Sequence, residues 1–126
     1  LIVDTVGILA DLYAWADFAF VGNSFAGHRI HSVMEPLASG CLTFFGPGHH
    51  NNREALIFKS IPISASGNLT MANEIADRDK FGDLIVSLTK TLQRPVFRKE
   101  IQGEVQKRMG ASRHLSQEVR MLLNAK

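Results

Sequence analysis

The sequence predicts an α/β fold, a doubly wound parallel sheet that ends in two amphipathic helices, and three observations lead to it. Two runs, 18–21 and 42–45, are continuously apolar, as expected of strands covered on both faces. Each run stops at a glycine and is followed by a helix-start pattern, so strands and helices alternate at short intervals. From residue 81 onward, apolar residues recur at steps of three and four, which is typical of amphipathic helices.

The individual elements follow from periodicity and from capping signals. Ser32 with Glu35 forms a capping-box pattern that predicts a helix start, and Asn51 with Glu54 predicts another. Segment 69–75 fits either a strand or an irregular excursion. The remaining predictions, in chain order, are a strand at 2–3, a helix with its apolar stripe at 9–16, strands at 18–21, 42–45 and 61–66, helices at 32–39, 51–60 and 81–92, and two terminal helices on either side of Gly110.

Length and composition limit the class of protein. With 126 residues and 45% hydrophobic content, the chain can bury one globular core, so we expect a single domain over 1–126 with a helical tail at 95–126. The net charge of +2 is small and mixed along the chain, and we expect no nucleic-acid partner. No run reaches the roughly 18 to 20 apolar residues of a membrane helix. The sequence opens without methionine inside a strand pattern, which suggests a piece of a longer protein.

Two loops occupy the position where α/β proteins bind ligands. In an open sheet, that position is outside the carboxyl ends of the strands, and loops 22–31 and 46–50 both fall there. Each loop leads into a predicted helix start, whose free N–H groups favour an anion. Gly22 and Gly46 would let a ligand approach the backbone closely. The sequence therefore predicts an anion site such as one for a phosphate or carboxylate.

Histidines are concentrated on the same two loops, which raises the possibility of a zinc site. They lack a supporting cysteine or paired ligand spacing, and the side chains of adjacent histidines normally point in different directions, so we expect no metal. Hydrogen bonding or contact with an anion is the favoured role. The four loop histidines are His28, His31, His49 and His50.

Glu35 has two alternative roles. As the capping-box partner of Ser32, its carboxylate would return to the backbone N–H of that residue. Beside a phosphate-binding loop, the same carboxylate could instead accept two hydrogen bonds from a ribose diol. The spacing fits both alternatives. The single cysteine, Cys41, precedes a buried strand and is expected to be an inert buried thiol.

Three ordered segments carry a resemblance to a known family. They read DTVGILADLYAWADFAFVGNSF at 4–25, HSVMEPLASG at 31–40 and FGP at 45–47, with Asn51 shortly after. Together they resemble the C-terminal domain of the 3-deoxy-D-manno-octulosonic acid (Kdo) transferases, which act in lipopolysaccharide synthesis. The resemblance is densest from Asp4 to about Ser60.

The resemblance implies a GT-B glycosyltransferase with two Rossmann-like domains, of which this one would bind the donor CMP-Kdo. The acceptor would be a lipid A precursor at the cytoplasmic face of the bacterial inner membrane, and no cofactor or metal is required. The family's general base belongs to the N-terminal acceptor domain, so no catalytic residue is expected in this chain, and the chain alone would be inactive. Self-association of the chain through its apolar helix faces is a further expectation.

The resemblance also implies roles for individual residues. Ser24, His31 and the helix start at Ser32 would face the phosphate and the sugar acid, and Glu35 would take the ribose hydroxyls. The cytidine would be bordered by Gly7, Ile8 and Leu9 and by the Gly46–Pro47 turn, and Asn51 would lie near the sugar. Gly22 would provide close backbone approach to the donor.

The chain departs from the family pattern around His31. Where the family has two glycines before its histidine and an asparagine after it, an equal-length alignment places Arg29–Ile30 before His31 and Ser32 after it. The anion contact is then expected to have moved to Arg29 or to be weakened. An alignment with one gap would instead match Gly27–His28 to the family's Gly-His pair.

Two other functions fit the same residues. One is a different GT-B transferase or an epimerase that uses a UDP-sugar. The other is a non-catalytic nucleotide-binding or interaction domain, which the altered glycine motif would suit.

Overall fold

The computed structural model describes residues 2–3, 5–25, 30–64 and 68–124, with side chains described as far as Met109. Eight helices and strands follow one another within these described ranges. They are α1 (Leu9–Trp15), β1 (Phe18–Val21), α2 (Met34–Ala38), β2 (Leu42–Phe45), α3 (Arg53–Lys59), β3 (Ala72–Glu74), α4 (Phe81–Thr91) and α5 (Arg94–Asn124).

The three strands form one parallel sheet in the order β1-β2-β3. All four residues of β2 are buried, as a central strand covered on both faces requires. The predicted α/β, Rossmann-like class is confirmed. The prediction that 18–21 is covered on both faces is wrong, because β1 lies at the sheet edge and its Phe20 is 40% exposed.

One face of the sheet is built from aromatic side chains. Phe18 and Phe44 lie on neighbouring strands with ring centroids 6.3 Å apart. Phe81 at the start of α4 contacts Phe44 at 5.4 Å, and Phe97 of α5 stacks on Phe18 at 6.2 Å. The two C-terminal helices therefore pack against β1 and β2, and their buried residues belong to the same core cluster as those strands.

Two strand predictions are wrong. Ile2 and Val3 form no strand and are exposed. In the described part of 61–66 there is only an isolated antiparallel bridge between Pro62 and Thr70, and residues 65–67 lie outside the described part of the chain. Proline has no N–H to donate to a ladder, which limits pairing there. Of the two alternatives for 69–75, the strand is confirmed in part, as β3.

Helix boundaries also differ from the predictions. The side chain of Asn52, not Asn51, caps α3 by accepting the N–H of Ala55 at 2.8 Å. The prediction of two terminal helices on either side of Gly110 is wrong, because the single helix α5 runs through Gly110 without a break. One glycine costs a helix only about 1 kcal/mol relative to alanine, which does not stop a helix of this length.

Side chains of α5 fix the ends of the first two helices. The Arg98 guanidinium donates to the carbonyl oxygens of Ala16 and Ala14, both at 2.7 Å, and of Tyr13 at 3.2 Å. Gln102 donates to the carbonyl of Ser39 at the end of α2, at 3.3 Å. A cation and an amide thus satisfy carbonyl oxygens that have no partner within their own helices.

Candidate functional site

A cavity of about 510 Å³ lies at the carboxyl end of β1. It is enclosed by α1 on one side and by the segment leading into α2 on the other, with the last residues of β1 between them. We call it the β1 cavity. Its lining residues are Leu9, Tyr13, Phe20, Val21, Gly22, His31, Ser32 and Glu35.

The polar side of the β1 cavity comes from three residues around the start of α2. His31, Ser32 and Glu35 are all exposed. Ser32 Oγ accepts the backbone N–H of Met34 at 3.2 Å, and the His31 carbonyl accepts from the Asn52 amide at 3.4 Å. Within the described part of the chain, the side chains of His31 and Glu35 have no hydrogen-bond or ion-pair partner.

The predicted capping box does not form among the described residues. Helix α2 begins at Met34, its N-cap is Val33, and no side chain caps it in the way that Ser32 and Glu35 were expected to. The Glu35 carboxylate therefore has no capping partner among the described residues, which favours the ligand-binding alternative over the capping one. The prediction of an anion site at this helix start is weakened, because α2 has only five residues and Ser32 already accepts one of its first N–H groups.

The apolar side of the cavity comes from the stripe on α1. None of the seven residues of α1, all of them described, is buried, and Leu9 is 52% exposed. The stripe therefore forms a cavity wall instead of entering the core. Burial, followed by the nearby Glu35 carboxylate, raises the pKa of Tyr13. Tyr13, Phe20 and Val21 are cavity residues that sequence reasoning missed, since an apolar stripe and the end of a strand look the same in a core and at a cavity.

Gly22 leaves its backbone open to the cavity. A Cβ atom placed on Gly22 would meet no other heavy atom of the described chain within 4 Å. This matches the expectation that a glycine here lets a ligand approach the main chain.

Ser24 and Gly46 tie the two loops together instead of reaching the cavity. Ser24 is buried, and its hydroxyl accepts the Gly46 N–H at 2.6 Å and donates to the Val21 carbonyl at 3.4 Å. The Ser24 carbonyl accepts the Gly48 N–H at 2.8 Å. A Cβ atom on Gly46 would lie 2.9 Å from Ser24 Oγ and 3.0 Å from the Phe25 ring, so a glycine is needed there for packing.

The other predicted residues that the structure describes do not line the cavity. Ile8 is the N-cap of α1, preceded by Gly7 in the left-handed region at φ +94°. Pro47 and Asn51 are exposed on the second loop. Arg29, together with the alternative Gly27–His28 alignment, lies outside the described residues. Of the twelve predicted positions, the structure brings together Leu9, Gly22, His31, Ser32 and Glu35.

A second polar group lies at the carboxyl ends of β2 and β3. His49 is 2% exposed, its Nδ1 lies 3.4 Å from the Gly46 carbonyl oxygen, and its Nε2 lies 3.3 Å from Lys59 Nζ. Lys59 also donates to the Glu74 carboxylate. We call His49, Lys59 and Glu74 the His49 cluster. Sequence reasoning missed Lys59 and Glu74, because they meet only when α3 packs beside β3.

The histidine pair of the second loop differs from expectation in its geometry. The rings of His49 and His50 lie side by side with centroids 4.8 Å apart, although they were expected to point apart. No group of three or more metal-ligating side chains occurs in the described part of the chain. Cys41 is fully buried, and burial is the main cause that raises the pKa of its thiol to about 11, so it is inert as predicted.

Comparison with known proteins gives a limited but consistent result. No protein-family model and no solved structure matches the chain. The chain is 42% identical over 71 residues to a 3-deoxy-D-manno-octulosonic acid transferase of Chlamydia muridarum, a match covering 51% of this chain and 16% of that protein. The protein of the same name from Chlamydophila psittaci is 39% identical over 75 residues, which cover 58% of this chain and 17% of the relative.

The resemblance to the Kdo transferases is confirmed. A third Kdo transferase, from Chlamydia trachomatis serovar D, is 44% identical over 48 residues, covering 37% of this chain and 11% of the relative. The chain thus matches less than a fifth of the length of the curated Kdo transferases to which it is similar.

Proposed function

We propose that this chain forms the donor-binding part of a glycosyltransferase that transfers Kdo from CMP-Kdo to a lipid A precursor in lipopolysaccharide biosynthesis. The observation that carries the proposal is the β1 cavity, where His31 and Glu35 lie together at the carboxyl end of a parallel strand with their side chains unpartnered among the described residues. The similarity to proteins named Kdo transferases supports a Kdo donor as the ligand.

Glu35 is assigned to the ribose of CMP. An ionised carboxylate accepts hydrogen bonds without donating any, and its two oxygens can accept from the two hydroxyls of a ribose diol. The negative charge of Glu35 would repel a phosphate placed directly on it, so the phosphate belongs on the opposite side of the cavity mouth, toward His31 and Gly22.

His31 is assigned to the phosphate and the sugar acid. When Kdo leaves, CMP gains negative charge, and a hydrogen-bond donor or a cationic imidazolium at that position stabilises the leaving group. The open space beside the Gly22 backbone allows the phosphate to approach the main chain. The aromatic and aliphatic wall of Leu9, Tyr13 and Phe20 provides an apolar surface for the flat face of the cytosine.

The acceptor half of the reaction belongs to the longer protein. We assign the lipid A precursor, the general base and the position at the cytoplasmic face of the inner membrane to a GT-B enzyme of which this chain is one part. No helix in the described residues has the length and apolarity to cross a bilayer.

Ligand titration of the chain tests the donor assignment. We expect CMP to bind more tightly than UMP or UDP, because the matched relatives are named for Kdo transfer. Isothermal titration calorimetry with the three nucleotides measures the preference. Tighter binding of UDP would favour a UDP-sugar enzyme, and binding of none of them would favour a non-catalytic interaction domain.

Glu35→Gln tests the assignment of the ribose site. Removing a charge-assisted pair of hydrogen bonds is expected to weaken CMP binding about 10- to 100-fold without changing stability. Glu54→Gln is the matched control, since Glu54 is also an exposed glutamate in the first turn of a short helix but lies outside the β1 cavity. Equal effects of the two substitutions would contradict the site. In the longer protein, CMP-Kdo-dependent transfer should fall in both Glu35→Gln and His31→Ala. Unchanged transfer activity in both variants would contradict the assignment of these residues to the donor site.

A further inference from the structure

The His49 cluster is unexplained by the β1 cavity, yet it is linked to it by hydrogen bonds. Lys59 and Glu74 pair at the end of β3, and Lys59 contacts His49 Nε2 at 3.3 Å. On its other side, the His49 ring contacts the carbonyl of Gly46 at 3.4 Å. The Gly46 N–H is held by Ser24, whose hydroxyl donates to the carbonyl of a cavity residue, Val21. One polar chain therefore crosses the ends of all three strands.

The partners of His49 select one protonation state. A backbone carbonyl can only accept, so Nδ1 facing Gly46 must carry the proton. A lysine ammonium can only donate, so Nε2 facing Lys59 must be unprotonated. Both contacts therefore require the neutral Nδ1–H tautomer. Glu74 keeps Lys59 charged and in place through its own hydrogen bond.

We propose that His49 is a positioning residue for the β1 cavity: as the neutral Nδ1–H tautomer fixed by Lys59 and Glu74, it holds the Gly46 turn and, through Ser24, the cavity floor at Val21. This positioning role of His49 depends on the proposed function only because CMP is assumed to be the ligand of the cavity. His49 does not line the cavity, so it acts through the Gly46 turn and not by touching the nucleotide.

Protonation of His49 would break this arrangement. An Nε2–H would place an imidazolium 3.3 Å from the Lys59 ammonium and 3.7 Å from the Glu74 carboxylate. Lys59 would be displaced, and the imidazolium would turn toward Glu74, away from the geometry that holds Gly46. Among the described residues, the His50 ring also lies beside the His49 ring, and Asp77 and Lys80 line a neighbouring cavity together with Glu74. CMP binding should therefore weaken as His49 becomes charged.

Nuclear magnetic resonance of the ¹⁵N-labelled chain tests the tautomer and the coupling without any ligand. At pH 8, the ring nitrogens of His49 are expected to show the Nδ1–H tautomer. On acidification, the amides of Gly46 and Ser24 are expected to shift with the same midpoint as the His49 ring. In Lys59→Met, the tautomer and both amides should change, whereas Lys107→Met, which breaks the exposed Lys107–Glu104 pair of α5, should leave them unchanged.

The CMP affinity of the native chain and of His49→Gln, each measured from pH 8 to pH 5.5, tests the consequence for binding. Glutamine offers one donor and one acceptor but does not titrate. The ratio of native to His49→Gln affinity, normalised at pH 8, removes the pH effects that the two proteins share, such as ionisation of the CMP phosphate. We expect this ratio to fall about fivefold, the equivalent of one hydrogen bond. A His50→Gln variant should keep the native profile.

The possible outcomes separate the two proposals. Binding of no nucleotide by the native chain would contradict the proposed function, while the tautomer and the coupled amide shifts would still decide the role of His49. A flat affinity ratio, an Nε2–H tautomer, or a His49 titration that leaves the Gly46 and Ser24 amides unmoved would each overturn the positioning role. If His49→Gln does not fold, the amide shifts of Gly46 and Ser24 in Lys59→Met, with Lys107→Met as the control, decide the positioning role.

Discussion

The β1 cavity and the His49 cluster both lie at the carboxyl edge of the sheet, and each contains a histidine and a glutamate. In the cavity, the side chains of His31 and Glu35 are exposed and have no partner among the described residues. In the cluster, His49 is buried, and its ring nitrogens and the Glu74 carboxylate all have partners within the protein. Location at this edge does not by itself make a binding residue. What differs is whether the protein has already satisfied the polar group.

The glycines of the two loops show the same contrast. Gly22 faces open space, whereas Gly46 is surrounded by Ser24 and Phe25. Substitution of each glycine by alanine therefore tests whether the glycine is needed for ligand binding or for packing.

Gly46→Ala should have the largest effect on stability. Its Cβ atom would lie 2.9 Å from Ser24 Oγ and 3.0 Å from the Phe25 ring, so the two loops would have to move apart. We expect a loss of about 1 to 3 kcal/mol in the free energy of unfolding, as for other overpacked sites. Urea denaturation measures it. A loss no larger than that of Gly22→Ala would contradict the packing role.

Gly22→Ala should weaken binding without destabilising the fold. The added methyl group meets no described atom within 4 Å, but it occupies the β1 cavity. We expect stability to rise by up to about 1 kcal/mol, because alanine restricts the unfolded chain, and CMP affinity to fall about tenfold through overpacking of the ligand. Gly82→Ala in α4, which is equally unobstructed, is the control for stability alone. Unchanged CMP affinity in Gly22→Ala would show that this backbone does not face the nucleotide.

Glu74→Gln should have the smallest effect, and it depends on pH. The hydrogen bond from Lys59 lowers the pKa of Glu74, with burial opposing it. A carboxyl group whose pKa is lowered by folding stabilises the protein at pH values above its unfolded-state pKa of about 4.3. This stabilisation is lost as the pH falls through the pKa of the group in the folded protein. We expect native and variant to differ by at most about 1 kcal/mol at pH 7 and to converge as the pH falls through the lowered pKa of Glu74.

Urea unfolding at pH 7 and at pH 3 checks this convergence. The matched control is Glu104→Gln, whose glutamate is paired with Lys107 on the surface of α5. A difference that grows on acidification would show that Glu74 does not stabilise the fold as an ion.

Strands with apolar composition could be predicted from the sequence, and strands without it could not. The bounds of β1 and β2 followed from continuous apolar runs that end at glycine. Strand β3 contains Asn73 and Glu74, and its pairing beside β2 fixes it as a strand more than its composition does. The continuity of α5 through Gly110 could not be predicted, since a single glycine is a weak signal for a helix end.

The candidate site could be predicted where it depends on position along a strand and not where it depends on tertiary contact. Gly22, His31 and Glu35 follow from the rule that ligands bind at strand carboxyl ends. Tyr13 could not be found that way, because an apolar stripe on a helix such as α1 can face either the core or a cavity. Only the placement of α1 in the fold decides between the two. Lys59 and Glu74 come from separate elements, and nothing in their spacing indicates that they meet.

The contacts of Arg98 have a consequence for the shape of the β1 cavity. The helix that forms the apolar wall is held at its end by a side chain 82 to 85 positions later in the chain, and the α2 side of the cavity is held by the next turn of the same helix. The width of the cavity is therefore set by the rotational phase of α5. Deleting one residue before Arg98 within α5 would rotate that side chain by about 100° and release the wall, although every residue that lines the cavity would be unchanged.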